Sequence, residues 1–111
     1  MNPLEKDIER KLRDMVERHG GLCLKWVCPG RAGVPDRIVL LPGGRVVFVE
    51  LKRPKDGVLS ELQKWWAKKL MALGFEYWSI WNKSDLDDFE ECVLDVFIPE
   101  KQFTLAEEER P

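Results

Sequence analysis

The sequence lacks the features of a secreted, membrane-bound or metal-stapled protein. No uninterrupted apolar run exceeds that of Ile38 to Leu41, far short of the ~20 residues that cross a bilayer. No charged-then-apolar leader opens the chain, so a secretory signal is not expected. Cysteines number three, Cys23, Cys28 and Cys92. An odd number without a leader fits a reducing cytoplasm better than a disulfide framework. Cys23 and Cys28 lack paired C-x-x-C spacing, and His19 is the single histidine. A structural zinc site wants four N/S ligands. A catalytic Cys–His pair is outweighed by small buried thiols. There is no internal repeat and no interdomain linker, and 111 residues allow one domain.

With 44% hydrophobic residues and five Trp, the chain can bury a core. Asn2 and Pro3 suit the cap and first position of a helix, with Glu5 at capping-box spacing. Leu4, Ile8, Leu12, Met15, Val16 and His19 recur at helical spacing until Gly20-Gly21. Leu22 to Val27, Asp36 to Leu41 and Val46 to Lys52 read as strands. Pro54 to Gly57 reads as a loop. Ser60 caps a second helix, with Leu62, Trp65, Trp66, Leu70 and Leu73 expected inward and Gly74 closing it. Phe75 to Trp81 is a fourth strand, Asp85 to about Leu94 a short acidic helix, and Val96 to Ile98 one more short strand. The order α-β-β-β-α-β-α is an α/β fold, a mixed sheet with helices on both faces. The third strand, second helix and fourth strand form a parallel βαβ unit. The domain is expected over residues 1–98, with 99–111 an acidic, loose tail.

Polar residues that interrupt an apolar pattern carry the information. Glu50 and Lys52 break the run from Val46 to Lys52, and residues two apart on a strand share a face. Charges buried on a central strand cost roughly several kcal/mol per ion unless compensated. A metal ion or a phosphate would compensate. The hairpin decides whether Asp36 joins them. A two-residue loop at Gly43-Gly44 sets Asp36 opposite Leu51, on the wrong face. A three-residue loop, Pro42-Gly43-Gly44, pairs Leu41 with Arg45 and sets Asp36 opposite Glu50. Proline at the first turn position and glycine at the left-handed bulge favour the second. Two carboxylates that share a hard cation, with a lysine beside them, suit phosphodiester hydrolysis.

Pro35-Asp36 followed by Glu50-Leu51-Lys52 is the PD-(D/E)xK nuclease signature, weak by itself. The surrounding residues are more specific: Gly20-Gly21, Lys25-Trp26-Val27, Pro29 through Arg37, Gly43-Gly44-Arg45, Phe48 through Pro54, and Leu62-Gln63. Together, over roughly Glu5 to Asp85, they resemble the VRR-NUC (virus-type replication-repair nuclease) family, in particular its stand-alone form in phages and bacteria. The resemblance implies a restriction-endonuclease-like core and a Mg²⁺- or Mn²⁺-dependent DNA endonuclease. It implies Asp36 and Glu50 as metal ligands, with the Leu51 backbone carbonyl a further one, and Lys52 as the catalytic lysine. It adds a glutamate from the first helix and Gln63 from the second. It also implies action on branched or duplex DNA, resembling Holliday-junction resolvases, as a homodimer in the host cytoplasm and with no membrane.

Glu9 and Glu5 compete for the helix glutamate. Glu9 lies at the edge of the apolar stripe, whereas Glu5 has a capping job, so Glu9 is preferred. Gln63 follows Ser60 at capping-box spacing, and one side chain cannot fully serve both roles. Lys25, Arg31, Arg37 and Arg53 are candidates for DNA contact; for Lys25 and Arg31 the plainer reading is solvated charge. His19 reads as a helix C-terminal residue. Trp65-Trp66 reads as core and interface rather than a base-stacking platform. The rival to an enzyme is a non-catalytic DNA-binding module that keeps the fold.

The net charge of −2 and pI near 5.5 do not exclude nucleic acid. Residues 1–84 hold 16 basic and 10 acidic side chains, so +6, and residues 85–111 hold 2 and 10, so −8. The basic body can hold phosphates. The acidic end suits a brake on non-target DNA or a docking site for a phage replication protein.

Overall fold

The computed structural model describes residues 3–51 and 59–96, with the side chains of the first helix described from Lys6 onward. Helix α1 (Pro3–Arg18) is followed by β1 (Leu22–Lys25), β2 (Arg37–Leu41), β3 (Arg45–Glu50), helix α2 (Glu61–Ala72), β4 (Glu76–Ser79) and helix α3 (Lys83–Phe89). The strands form one sheet in the order β1-β2-β3-β4. The first two pairings are antiparallel and β3–β4 is parallel, so the mixed sheet and the βαβ crossover are as expected. No described helix is long and apolar enough to cross a membrane.

Two faces of the sheet do different work. Cys23, Val39, Val47, Val49 and Ile80 enter the main core. Leu12, Met15 and Val16 of α1 and Leu86, Phe89 and Val93 pack with them. This is the stripe expected of α1, and it ends at Gly20, whose φ of 81° only glycine adopts freely. The other face carries Phe48, tilted against Trp26 and edge-on to Phe75, with Trp26 in turn edge-on to Trp66 of α2. Cys23 is buried, and burial pushes its thiol up to about 11. Cys28 is half-buried and Cys92 exposed, so buried thiols describe only the first.

Three expectations need correction. The inward face of α2 is Gln63, Ala67 and Leu70, whereas Leu62, Trp65 and Leu73 are exposed. Positions i, i+4 and i+7 make one stripe, and the small Ala67 lets the helix approach. The acidic helix starts at Lys83 and not at Asp85, because the Asn82 side chain caps it by accepting the Asp85 N–H at 2.9 Å. It then widens into a π-helical turn, Glu90–Leu94, closed by Asp95 N–H donating to the Glu90 carbonyl at 2.8 Å. Val96 lies outside any strand. The remainder of that proposed strand, the acidic tail, the cap at Asn2 and the loop Pro54–Gly57 lie outside the described residues.

Arg45 ties three elements together. Its guanidinium donates to both carboxylate oxygens of Glu76, at 2.6 and 2.5 Å, and to the Val93 carbonyl at 2.6 Å. These bonds fasten β3 to β4 and to the π-helical turn. Charge-assisted bonds of this kind are the stronger ones. Arg45→Ala is expected to lower unfolding free energy by about 2 kcal/mol, read as a shifted midpoint in urea.

Candidate active site

The turn at Pro42-Gly43-Gly44 sets the register. Leu41 pairs with Arg45 and Arg37 with Val49, the three-residue alternative. Gly43 and Gly44 have φ of 85° and 77°, conformations open to glycine. One step further on the same register sets Asp36 beside Glu50. The strand backbone continues to that point: Trp26 N–H donates to the Asp36 carbonyl at 2.9 Å, and Ile80 N–H to the Glu50 carbonyl at 2.8 Å. Asp36 Oδ2 accepts the Leu51 N–H at 2.8 Å, which holds its side chain against β3. Glu50 is 1% exposed. Two carboxylates therefore meet at the ends of adjacent central strands.

Tyr77 of β4 reports the same convergence. It pairs with Phe48, so it shares the Glu50 face. Burial chiefly, then the negative charge of Glu50 and more weakly of Asp36, pushes its phenol up to about 12. Nothing in the sequence pattern singled Tyr77 out, because only the parallel pairing of β4 brings it beside these acids.

The other expected residues are distributed around this pair. Gln63 is buried at the start of α2 and makes the full capping box. Its Oε1 accepts the Ser60 N–H at 2.8 Å and its own N–H donates to Ser60 Oγ at 3.1 Å. The capping role thus engages its carbonyl oxygen. Glu9 is ion-paired with Arg37. Arg37 pairs with Val49, so it faces away from Asp36, and the structure does not bring Glu9 into the carboxylate pair. Arg37 is largely buried by this contact, whereas Lys25 and Arg31 are exposed. The side chain of Glu5, and Lys52 and Arg53 altogether, lie outside the described residues.

A second cluster was not foreseen. His19 Nε2 lies 3.1 Å from Glu90 Oε2 and 3.5 Å from Asp95 Oδ1. Potential ligand atoms of the three lie within 4.8 Å of one another. A π-helical turn has more residues per turn than an α-helix, so residues five apart come to one side. That places Glu90 and Asp95 together. This group borders Leu41 and Pro42 at the hairpin turn, the end of β2 opposite to Asp36. It is separate from the carboxylate pair.

The Tyr77 shift has a direct test, since the chain has one tyrosine. In chelator-treated native protein, tyrosinate absorbance should rise near pH 12, against about 10 for the unfolded chain. A raised folded value means that stability is intact below pH 10 and falls between 10 and 12. Glu50→Gln should move the native midpoint downward.

No family model matches the sequence. A protein described as "Putative nuclease p44", from Acyrthosiphon pisum secondary endosymbiont phage 1, is 52% identical over 52 residues. The match covers 47% of this chain and 56% of that protein, so the chain spans about half the length of the curated relative. A solved structure described as "VRR_NUC domain" superposes with a TM-score of 0.76 at 25% identity, covering 83% of this chain and 99% of the other. The mixed four-stranded sheet with flanking helices is the fold of that domain. The fold shared over 83% of this chain and the similarity to a phage protein described as a putative nuclease support the resemblance of the chain to the VRR-NUC family.

Proposed function

We propose that the protein is a divalent-metal-dependent DNA endonuclease, selective for branched DNA and acting as a homodimer in phage replication, recombination or repair. The observation that carries this reading is the meeting of Asp36 and the buried Glu50 at the ends of β2 and β3. The fold shared with a VRR_NUC domain and the similarity to a phage protein described as a putative nuclease support it.

The donor set fits a hard cation: two carboxylates, and the Leu51 carbonyl as a third oxygen. Asp36 and Glu50 would hold Mg²⁺ or Mn²⁺, which supplies Lewis-acid polarisation of the scissile phosphate. The Leu51 N–H keeps Asp36 oriented, and strand pairing on both sides keeps Glu50 from retreating into solvent. Lys52 is assigned to orient the attacking water and to neutralise charge that develops on the phosphate. Gln63, with its carbonyl oxygen held by Ser60 N–H, has amide hydrogens to offer that water or a phosphate oxygen. Glu9 acts indirectly in this reading, holding Arg37 next to Asp36 on β2. Lys25, Arg31 and Arg53 are assigned to the DNA backbone. The acidic end is assigned to a replication partner.

Asp36→Asn keeps a carbonyl for the Leu51 N–H but loses the charge. It should lower the rate of cleavage of four-way or flapped DNA by about 100-fold or more at unchanged melting temperature. Full activity in this variant would remove Asp36 from the mechanism. DNA that is bound but uncut with any divalent ion would instead favour a non-catalytic binding module. Binding of branched DNA should also weaken steeply with salt, in a log–log titration of affinity, as phosphate contacts release counterions.

A further inference from the structure

Helix α2 turns Leu62 and Trp65 away from the sheet, 45% and 49% exposed. They face the loop between β1 and β2, and together with Arg31, Ala32, Glu61 and Trp66 they line an open cavity of about 600 Å³. Exposed tryptophan beside a fixed tryptophan is expensive to leave in water, and its placement asks for an occupant.

The walls are built rather than incidental. Trp66 Nε1–H donates to the Ala32 carbonyl at 3.0 Å, and its ring meets Trp26 edge-on at 5.9 Å. Trp65 stands at 87° to Trp66 with centroids 5.3 Å apart, so the two indoles form a corner. The loop is seated on the helix at Gly33. There φ is +84°, and a Cβ would fall 2.6 Å from Leu62 Cγ. Arg31 lies 5.7 Å from the Trp66 ring centroid, bringing a positive charge to the same cavity.

We propose that this corner takes an unpaired nucleobase of a DNA strand. The inference rests on the nuclease reading for its ligand, and it names the feature of the substrate that the enzyme recognises. An exposed indole face offers stacking to any base, and a guanidinium beside it matches the adjoining phosphate. The Glu61 carboxylate at the rim can accept from the amino edge of a base. Bases in an intact duplex are already stacked and cannot enter, so the cavity selects strands with unpaired nucleotides. The same loop runs on to Asp36 four residues after Ala32, and Leu62 adjoins Gln63. A base held here would therefore anchor the strand on the two elements that deliver Asp36 and Gln63.

The test compares a short oligodeoxyadenylate with an abasic oligomer of the same length. Binding to the full chain is measured by fluorescence anisotropy, with Ca²⁺ as the divalent ion. The intact protein should prefer the base-bearing strand by about tenfold. Trp65→Ala should erase that preference and Trp65→Phe should retain most of it, with melting temperature and near-ultraviolet circular dichroism showing both variants folded. Equal affinity of the intact protein for the two oligomers overturns the proposal. So does a Trp65→Ala variant that keeps the preference but changes elution volume, which assigns the corner to contact between copies. Cleavage is scored separately in Mg²⁺. A base preference without cleavage leaves the pocket standing and removes the nuclease reading; cleavage without base preference does the reverse.

Discussion

A loop one residue shorter between β2 and β3 would turn the side chains of β2 to the opposite face of the sheet, because side chains alternate along a strand. The turn Pro42-Gly43-Gly44 prevents this, with both glycines in left-handed conformations that place Leu41 against Arg45. From that one pairing follow Val39 against Val47 in the core and Asp36 beside Glu50 at the far end. The apolar face and the acidic pair are therefore not independent. Slippage that exposed Val39 and Val47 to the wrong layer would also separate the carboxylates, so the hydrophobic core enforces the geometry of the candidate site.

Holding that geometry costs stability. A carboxylate at 1% exposure gives up much of its hydration. The neighbouring Tyr77 feels the result, its phenol pushed up by burial and by both acids. The rest of the structure compensates with directed polar contacts: Arg45 clamps β3, β4 and the π-helical turn, and Glu9 neutralises Arg37 beneath the site. These two arginines serve the fold. Lys25 and Arg31, by contrast, stand exposed.

Much of this was legible in the chain before folding. Ile8, Leu12, Met15 and Val16 mark α1, and apolar strands around a proline-glycine turn mark the hairpin. The choice between turn lengths could be made from residue type alone, since proline and glycine each favour particular dihedrals. Helix α2 was harder. Its large residues suggested an inward face of Leu62, Trp65, Trp66, Leu70 and Leu73; of these Leu70 is buried, together with Gln63 and Ala67, while Leu62, Trp65 and Leu73 are exposed. Hydrophobicity ranks residues by what burial would gain, and it does not say which face of the helix packs against the sheet. The start of α3 shifted for a local reason, the Asn82 cap, and its π-helical end has no distinct compositional signal.

The sequence by itself determined the order of elements, the turn that fixes register, and the two acids that register brings together. These depend on neighbours along the chain, where dihedral preference and alternation are decisive. Only the tertiary structure decided that Tyr77 joins those acids, that His19 meets Glu90 and Asp95, and that Trp65 and Trp66 open a corner beside Arg31. Each of these joins residues from separate elements. Their meeting depends on how the elements pack, and packing is set by the whole core and not by any local pattern.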